Sequence, residues 1–189
     1  MIKELILKNR SYRRFYEKEA VEMDTLKGLV DLARMSSSAG NLQLLKYILS
    51  NTEEKNESIF KTLGWAGYLK DWDGPKKGER PSAYIIILND LSISKNPSID
   101  PGIAAQSILL GAIEKGLGGC IIANVNKKEL KENFSLDTNY EILFAIALGN
   151  PKEEVVIESI DSTGNIKYWR DEKDIHHVPK RTLDSIILK

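Results

Sequence analysis

Apolar residues recur along the chain with two different spacings, which predict a mixture of helices and strands. Helical spacing predicts helices over residues 2–6 and 26–33, the second with Asp24 as its N-cap. A third helix is predicted from Asp100, an N-cap that precedes a proline at the first helical position, to a stop at Gly116. The fold therefore begins with two helices and has its best-defined helix in the middle of the chain.

Four apolar runs are typical of buried strands. They cover residues 47–49, 83–88, 120–123 and 141–148. The run 83–88 is nearly continuous, which favours a central strand covered on both faces. Two further runs, 155–160 and 165–169, flank the turn residues Asp161-Ser162-Thr163-Gly164 and predict a hairpin or an excursion at the sheet edge. Together the pattern predicts an α+β fold.

Three segments do not fit this alternation. Between the first two helices, Ser11 is a candidate cap for a short helical segment that exposes its amides to an anion. Residues 51–82, which contain Trp65, Tyr68 and Trp72, predict either a helical excursion or a lid. The tail, residues 182–188, is too apolar to be left in water.

Length and composition indicate an ordinary globular protein. The chain has 189 residues, 42% hydrophobic and 29% charged, and we expect a single domain over residues 1–189. No apolar run approaches the roughly 18 residues of a membrane span, and the N-terminus does not resemble a secretion signal. Cys120 is the single cysteine, which excludes an intramolecular disulfide. We expect a cytoplasmic protein without a membrane partner.

Charge is balanced overall and concentrated locally. Lys plus Arg and Asp plus Glu both total 27, so no global field attracts nucleic acid. Basic residues cluster at 10–14 and at 176–181, near opposite ends of the chain. Arg10, Ser11 and Arg13 supply two forked cations and a hydroxyl, a set suited to a phosphate. The alternative interpretation of this cluster is a solvated basic face.

Residues 36–43, Ser-Ser-Ser-Ala-Gly-Asn-Leu-Gln, place hydroxyls and amides between a helix and a strand. Such a loop either reads a heterocycle by hydrogen bonds or is a plain polar connection. The run Arg10-Ser11-Tyr12-Arg13-Arg14-Phe15 resembles the Arg-Ser-x-Arg-x-Phe opening of nitroreductase-family flavoproteins, and Ser38–Gln43 resembles their Ser-Ala-x-Asn-x-Gln segment. The likeness continues through the helix from Asp100, residues 116–120 and residues 179–183, and so covers nearly the whole chain.

The resemblance implies a site for flavin mononucleotide (FMN). By this resemblance, the first basic segment binds the flavin phosphate and pyrimidine edge, and the late basic segment also binds the phosphate. A loop from the partner subunit makes further contacts with the flavin. The end of the Cys120 strand supplies backbone amides near flavin N5. The corresponding residues are Arg10, Ser11, Arg13, Ser37, Ser38, Ala39, Asn41, Gln43, Ile122, Ala123, Asn124, Lys180 and Arg181.

The resemblance also implies a three-layer α-β-α fold with a mixed, mostly antiparallel sheet, and a homodimer with two flavins at its interface. The tail after Arg181 is expected to cross to the partner. The implied activity is ping-pong hydride transfer from transiently bound NADH or NADPH through FMN to a nitroaromatic, quinone or related small acceptor. No protein side chain is expected to act as a catalytic acid or nucleophile, because the flavin carries the chemistry. The alternatives are a dehalogenase or flavin-processing member of the family, and a protein that stores or senses flavin.

Three departures from the family pattern bear on the site. Leu44-Leu45 replaces a frequent Pro-Trp, Ser37 stands where proline is frequent, and Ala123-Asn124-Val125 replaces a common Gly-Gly-Phe. The backbone contacts to flavin tolerate such changes better than the substrate pocket does. The physiological acceptor and the preferred nicotinamide are therefore not predicted.

Other reactive residues favour structural roles. A lone cysteine in an apolar strand, such as Cys120, is typical of a small buried residue rather than a nucleophile. His176 and His177 are adjacent in an extended segment and point to opposite faces, so a metal site is not expected. The aromatic residues Trp65, Tyr68 and Trp72 are equally compatible with substrate stacking and with packing. Neither Gly-x-Gly-x-x-Gly nor a P-loop lysine motif occurs, which argues against a Rossmann domain or a nucleoside triphosphatase.

Overall fold

The longest apolar runs of the sequence form the inner strands of an antiparallel sheet. The structure is a computed structural model that describes residues 1–188. Its main sheet has four strands in the order β1-β2-β4-β3, every neighbouring pair antiparallel. The strands are β1 (Leu45–Ser50), β2 (Ala83–Asp90), β3 (Gly118–Ile122) and β4 (Tyr140–Gly149). All eight residues of β2 are buried, as expected of a central strand.

Helices cover both faces of this sheet. The described residues contain five α-helices: α1 (Ile2–Lys8), α2 (Met23–Arg34), α3 (Glu53–Phe60), α4 (Asp100–Glu114) and α5 (Lys127–Asn133). Ile85 and Ile87 pack on one face with residues of α2 and α4. Ile86 packs on the other face with Ile59 of α3 and Leu130 of α5. Because alternate side chains of a strand point to opposite faces, one apolar run supplies two cores, and the predicted three-layer α-β-α fold is confirmed.

Two predicted helix caps are wrong. Helix α2 begins at Met23 with Glu22 in the N-cap position, so Asp24 lies in its first turn. Helix α4 begins at Asp100 itself, with Ile99 in the N-cap position. The Asp100 carboxylate accepts hydrogen bonds from Ser38 and Ala39 instead of from its own helix.

The short helix predicted around Ser11 is also wrong, because the described structure has this segment extended. Ser11 forms a parallel bridge with Gly119 of β3, and Phe15 an antiparallel bridge with Pro151. The amide of Tyr12 donates to the Gly119 carbonyl at 3.0 Å. The Phe15 side chain is fully buried. The segment's amides are thus used across the sheet end instead of in a helix.

A second, smaller sheet follows the main one. Its strands are β5 (Val155–Ser159), β6 (Trp169–Arg170) and β7 (His176–Lys180), in the order β5-β7-β6. Strand β5 is parallel to β7, whereas β6 is antiparallel to β7. Of the two predicted alternatives for residues 155–160 and 165–169, the hairpin is wrong, since residues 155–159 and Trp169 pair with β7 and not with each other. This sheet supplies the parallel pairing that the fold prediction contained.

The remaining segments have the following surroundings. Residues 51–82 contain the one short helix α3 and then a long loop in which Trp65 is buried against the second core. In the single chain the tail is exposed, including Leu183 and Ile186. Within residues 1–188, no helix has the length and apolar character that a membrane span requires.

Candidate functional site

The first basic segment is fixed by a buried carboxylate far along the chain. Glu153 accepts hydrogen bonds from the amides of Arg13 and Arg14. Its other oxygen accepts from Arg170 Nη2 at 2.9 Å, and the Glu153 side chain is fully buried. Because the carboxylate binds the backbone of the segment, it sets where the Arg13 side chain starts. Sequence reasoning missed Glu153, since nothing near it in the sequence marks its contacts.

The Arg13 guanidinium lies in a nearly closed pocket. It is 8% exposed, and its Nη1 donates to the Ser11 carbonyl at 3.2 Å and to His176 Nε2 at 3.0 Å. The ring of Tyr168 covers it, 4.6 Å from centroid to Cζ. Within residues 1–188, no acceptor binds its Nη2. One side of this cation is thus held by the protein and the other is available to a ligand.

His176 is the neutral partner of Arg13. Burial, followed by the nearby positive charges of Arg13 and Arg170, lowers the pKa of His176 to about 4. At neutral pH the imidazole is therefore uncharged and accepts a hydrogen bond through Nε2. The positive charge of this pair therefore comes from Arg13 and not from His176.

The other predicted phosphate ligands are less constrained. Arg10 is partly exposed; its Nη2 donates to the Ile6 carbonyl at 2.6 Å, and its buried Nε has no partner among the described residues. Lys180 ends β7, about 13 Å along that strand from His176. Arg181 follows it and is exposed. The structure brings Ser11 and Arg13 together, but within one chain it does not bring Arg181 to them.

The loop after α2 is anchored on helix α4. Ser38 Oγ donates to Asp100 Oδ2 at 2.6 Å, and the Ala39 amide donates to Asp100 Oδ1 at 2.9 Å. The Gln43 amide donates to Ser38 Oγ at 2.9 Å. Ser37, Asn41 and Gln43 are all exposed, so these predicted contacts face outward.

The third predicted contact region follows β3. Ile122 is buried, whereas Ala123 and Asn124 are exposed. The Asn124 carbonyl accepts from the Gly64 amide at 2.8 Å, which fixes this turn. Its own amide finds no acceptor within residues 1–188. An exposed, unpaired N–H at the end of a buried strand is suited to donate to a heterocycle.

The first basic segment, residues 10–14, and the loop of Ser38, residues 36–43, lie at opposite edges of the main sheet. Ser11 bridges β3, while the loop of Ser38 leads into β1, and the two edge strands are three strand spacings apart, about 14 Å. Asp100, which holds Ser38, starts the 15-residue helix α4, whose far end leads to β3, about 22 Å away along the helix. Within one chain the first basic segment and the loop of Ser38 are therefore separate, and we call them the two half-sites.

The remaining candidate residues have structural surroundings. Cys120 is 4% exposed, and burial raises the pKa of its thiol, which disfavours a reactive thiolate. Trp65 packs in the second core, whereas Tyr68 is 48% exposed and lies 5.0 Å from the ring of Tyr168. His177 stacks on Trp169, and no cluster of metal-binding side chains occurs within residues 1–188.

The protein is thus a three-layer α-β-α protein, and its first basic segment is suited to bind a phosphate. A sequence profile described as the Nitroreductase family matches residues 6–150. The chain belongs to the nitroreductase family.

Individual relatives agree with this assignment. The NADPH-flavin oxidoreductase of Vibrio harveyi is 24% identical over 167 residues, which are 79% of this chain and 65% of that protein. The chain thus spans slightly less than two thirds of the length of this curated relative. Among solved structures, a nitroreductase family protein from Streptococcus pneumoniae TIGR4 is 14% identical with a TM-score of 0.72, covering 100% of both chains.

Two clostridial structures are also similar in fold. A nitroreductase family protein from Clostridium novyi NT is 24% identical with a TM-score of 0.66, covering 80% of this chain and 87% of that one. An FMN-dependent nitroreductase from Clostridium difficile R20291 is 24% identical with a TM-score of 0.65, covering 82% and 89%.

Proposed function

We propose that this protein is an FMN-dependent oxidoreductase that takes hydride from NADH or NADPH and passes it to a small acceptor such as a nitroaromatic or a quinone. The observation that carries the proposal is the Arg10–Arg13 segment, held by Glu153, in a chain of the nitroreductase family; no acceptor within residues 1–188 binds Nη2 of Arg13. Membership of that family makes a flavin the expected occupant. The name of the Vibrio harveyi relative, NADPH-flavin oxidoreductase, supports the same chemistry.

The donor set fits the phosphate of FMN. Arg10 and Arg13 supply cations in a chain of zero net charge, so the attraction for an anion is local. The buried Nε of Arg10 has no partner among residues 1–188, and a phosphate oxygen is a suitable acceptor for it. We assign Lys180 and Arg181 to the same phosphate and propose that they come from the partner subunit, since one chain does not bring Arg181 to Ser11 and Arg13.

The end of β3 fits the redox edge of the flavin. Ile122, Ala123 and Asn124 would direct backbone amides toward flavin N5, and the amide of Asn124 has no acceptor within residues 1–188. When bound, FMN supplies the hydride transfer itself, accepting from a nicotinamide and giving to the acceptor. The protein's part is to bind and orient the ring and to place donors where charge develops.

The separation of the half-sites favours a homodimer. Across the sheet from Ser11 lie Ser37, Ser38, Ala39, Asn41 and Gln43, and this separation supports their contact with a flavin on another subunit rather than their own. The exposed apolar tail, with Leu183 and Ile186, gains burial if it crosses to that subunit. We therefore propose two flavins at the interface of two identical chains.

Turnover tests the proposal against flavin storage. The purified protein with FMN is mixed anaerobically with NADPH or NADH, and the flavin absorbance is followed; menadione or a nitrofuran is then added. We expect rapid bleaching by at least one nicotinamide and rapid recovery with the acceptor. Bound flavin that neither nicotinamide reduces would overturn the oxidoreductase proposal in favour of storage or sensing. Reduction without reoxidation by these acceptors would overturn the proposed acceptor class.

A further inference from the structure

Asp100 is a buried carboxylate whose hydrogen bonds go to a distant loop. Its residue is 3% exposed and stands in the first turn of α4, where the helix dipole favours a negative charge. Both oxygens are used: Oδ2 accepts from Ser38 and Oδ1 from the Ala39 amide. Burying a carboxylate is costly unless it is hydrogen-bonded, and this loop provides the bonds. The carboxylate and the loop therefore stabilise each other.

The hydroxyl of Ser38 links Asp100 to the far end of the loop. It donates its only proton to Asp100 and accepts from the Gln43 amide at 2.9 Å. A serine hydroxyl has one proton, so Ser38 has none left to donate to a flavin. Its contribution is to tie the loop together rather than to read the flavin by donation.

The loop needs such a tie because its backbone is strained. Asn41 and Gln43 both have φ of 52°, and Gly40 between the anchor and Asn41 has φ of 57°. For residues other than glycine this left-handed conformation is unfavourable, less so for asparagine than for glutamine, and it persists where surrounding contacts hold it. Without the anchor we expect the loop to relax, and the outward-facing side chains of Asn41 and Gln43 to lose their positions.

We propose that Asp100 is a positioning residue for the flavin-binding loop: through Ser38 and Ala39 it holds Asn41 and Gln43 in the conformation that meets the flavin of the partner subunit. The inference rests on the proposed function, since it assigns a role within the same site. Asp100 itself does not contact the flavin. Its effect is on how tightly FMN binds rather than on the hydride transfer once FMN is bound.

The test compares FMN affinity among full-length variants. FMN fluorescence quenching gives Kd for the wild type, Asp100→Ala, Asp100→Asn and Ser38→Ala. We expect Kd to rise at least tenfold in Asp100→Ala and several-fold in Asp100→Asn and in Ser38→Ala. In the double variant Asp100→Asn/Ser38→Ala, Kd is expected to rise by less than the product of the two single effects, because both changes break the Ser38–Asp100 hydrogen bond. With saturating FMN, kcat for NADPH oxidation in Asp100→Ala and Asp100→Asn should stay within about twofold of the wild type.

Asn56→Ala is the matched control. The Asn56 side chain also makes two hydrogen bonds, accepting from Ser50 Oγ at 2.7 Å and donating to the Ser82 carbonyl at 2.8 Å, but it lies on α3, outside the proposed site. We expect it to lower the thermal midpoint and leave Kd unchanged. Wild-type affinity in Ser38→Ala and Asp100→Asn would overturn the inference, as would an equal rise in Kd in Asn56→Ala. A wild-type chain that binds no FMN would overturn the proposed function itself.

Discussion

Replacing Glu153 by glutamine removes the charge on which the basic segment depends. The carboxylate is fully buried and meets Arg170 at 2.9 Å and Arg14 at 3.9 Å, in addition to the two backbone amides. Glutamine keeps the shape and one carbonyl oxygen, but its NH₂ group faces N–H donors. Arg170, with a side chain 11% exposed, loses its counter-charge, whereas Arg14, 14% exposed, keeps Asp174 at 3.0 Å.

The magnitude follows from the burial. Removing one partner of a buried ion pair costs about 3–5 kcal/mol, and we place Glu153→Gln near 3 because one acceptor survives. For a chain of this length, that free energy lowers the thermal midpoint by roughly 6–12 °C. The Arg13 backbone also loses its anchor, so we expect weaker FMN binding in the same variant.

The assay is urea unfolding at pH 7 and fixed protein concentration, followed by the fluorescence of the three tryptophans. Glu79→Gln is the control: the Glu79 side chain is 10% exposed, but its partners Lys152 and Lys76, at 2.9 Å and 4.0 Å, are 38% and 80% exposed. A pair of this kind is worth about 1 kcal/mol or less. If Glu153→Gln costs no more than Glu79→Gln, the buried network does not hold the segment and the reasoning fails.

Two further predictions concern His176 and Gly119. The pKa of His176 is lowered to about 4 in the folded chain, so between pH 6.5 and 4 the unfolded chain binds a proton that the folded chain does not. The free energy of unfolding should therefore fall as the pH drops through this range, by up to about 3 kcal/mol from His176. The variant His176→Gln should lack this part of the decline. If the free energy of unfolding depends on pH with the same slope in both proteins, the prediction is contradicted. A Cβ on Gly119 would lie 2.6 Å from Leu109 Cδ2 and 2.8 Å from the Ala147 carbonyl oxygen. Gly119→Ala should thus destabilise by about 1–3 kcal/mol in thermal unfolding, whereas Gly102→Ala, on α4 with nothing within 4 Å, should be neutral or stabilising; the reverse order would refute the packing described.

Much of the fold could be predicted from local pattern. The continuous run 83–88 marks β2, because a strand covered on both faces has no polar side to interrupt it. Helix α4 was recognised from Asp100 to Gly116, within a residue or two of its ends. The pairing of β5 with β7 was missed, because the apolar pattern of a short strand indicates burial but not its partner.

Sequence reasoning reached candidate site residues only where they stand close together in the sequence. Arg10, Ser11 and Arg13 stand close together in the sequence, so a resemblance finds them. Their supports do not: Glu153 and His176 are 140 and 163 residues from Arg13. Contacts at such separations leave no periodic signal in one sequence. The same reason explains why Asp100 was recognised as a helix start and not as the anchor of the Ser38 loop.

FMN binding by the wild type and by Arg10→Ala/Arg13→Ala tests whether the first basic segment holds the flavin phosphate. Lys27→Ala/Lys55→Ala removes the same charge from exposed positions on α2 and α3 and serves as the control. We predict that the wild type and the control, mixed with FMN and desalted, keep a flavin absorption spectrum, and that the arginine variant loses it while remaining folded by circular dichroism. An arginine double variant that keeps the full yellow colour would contradict the account.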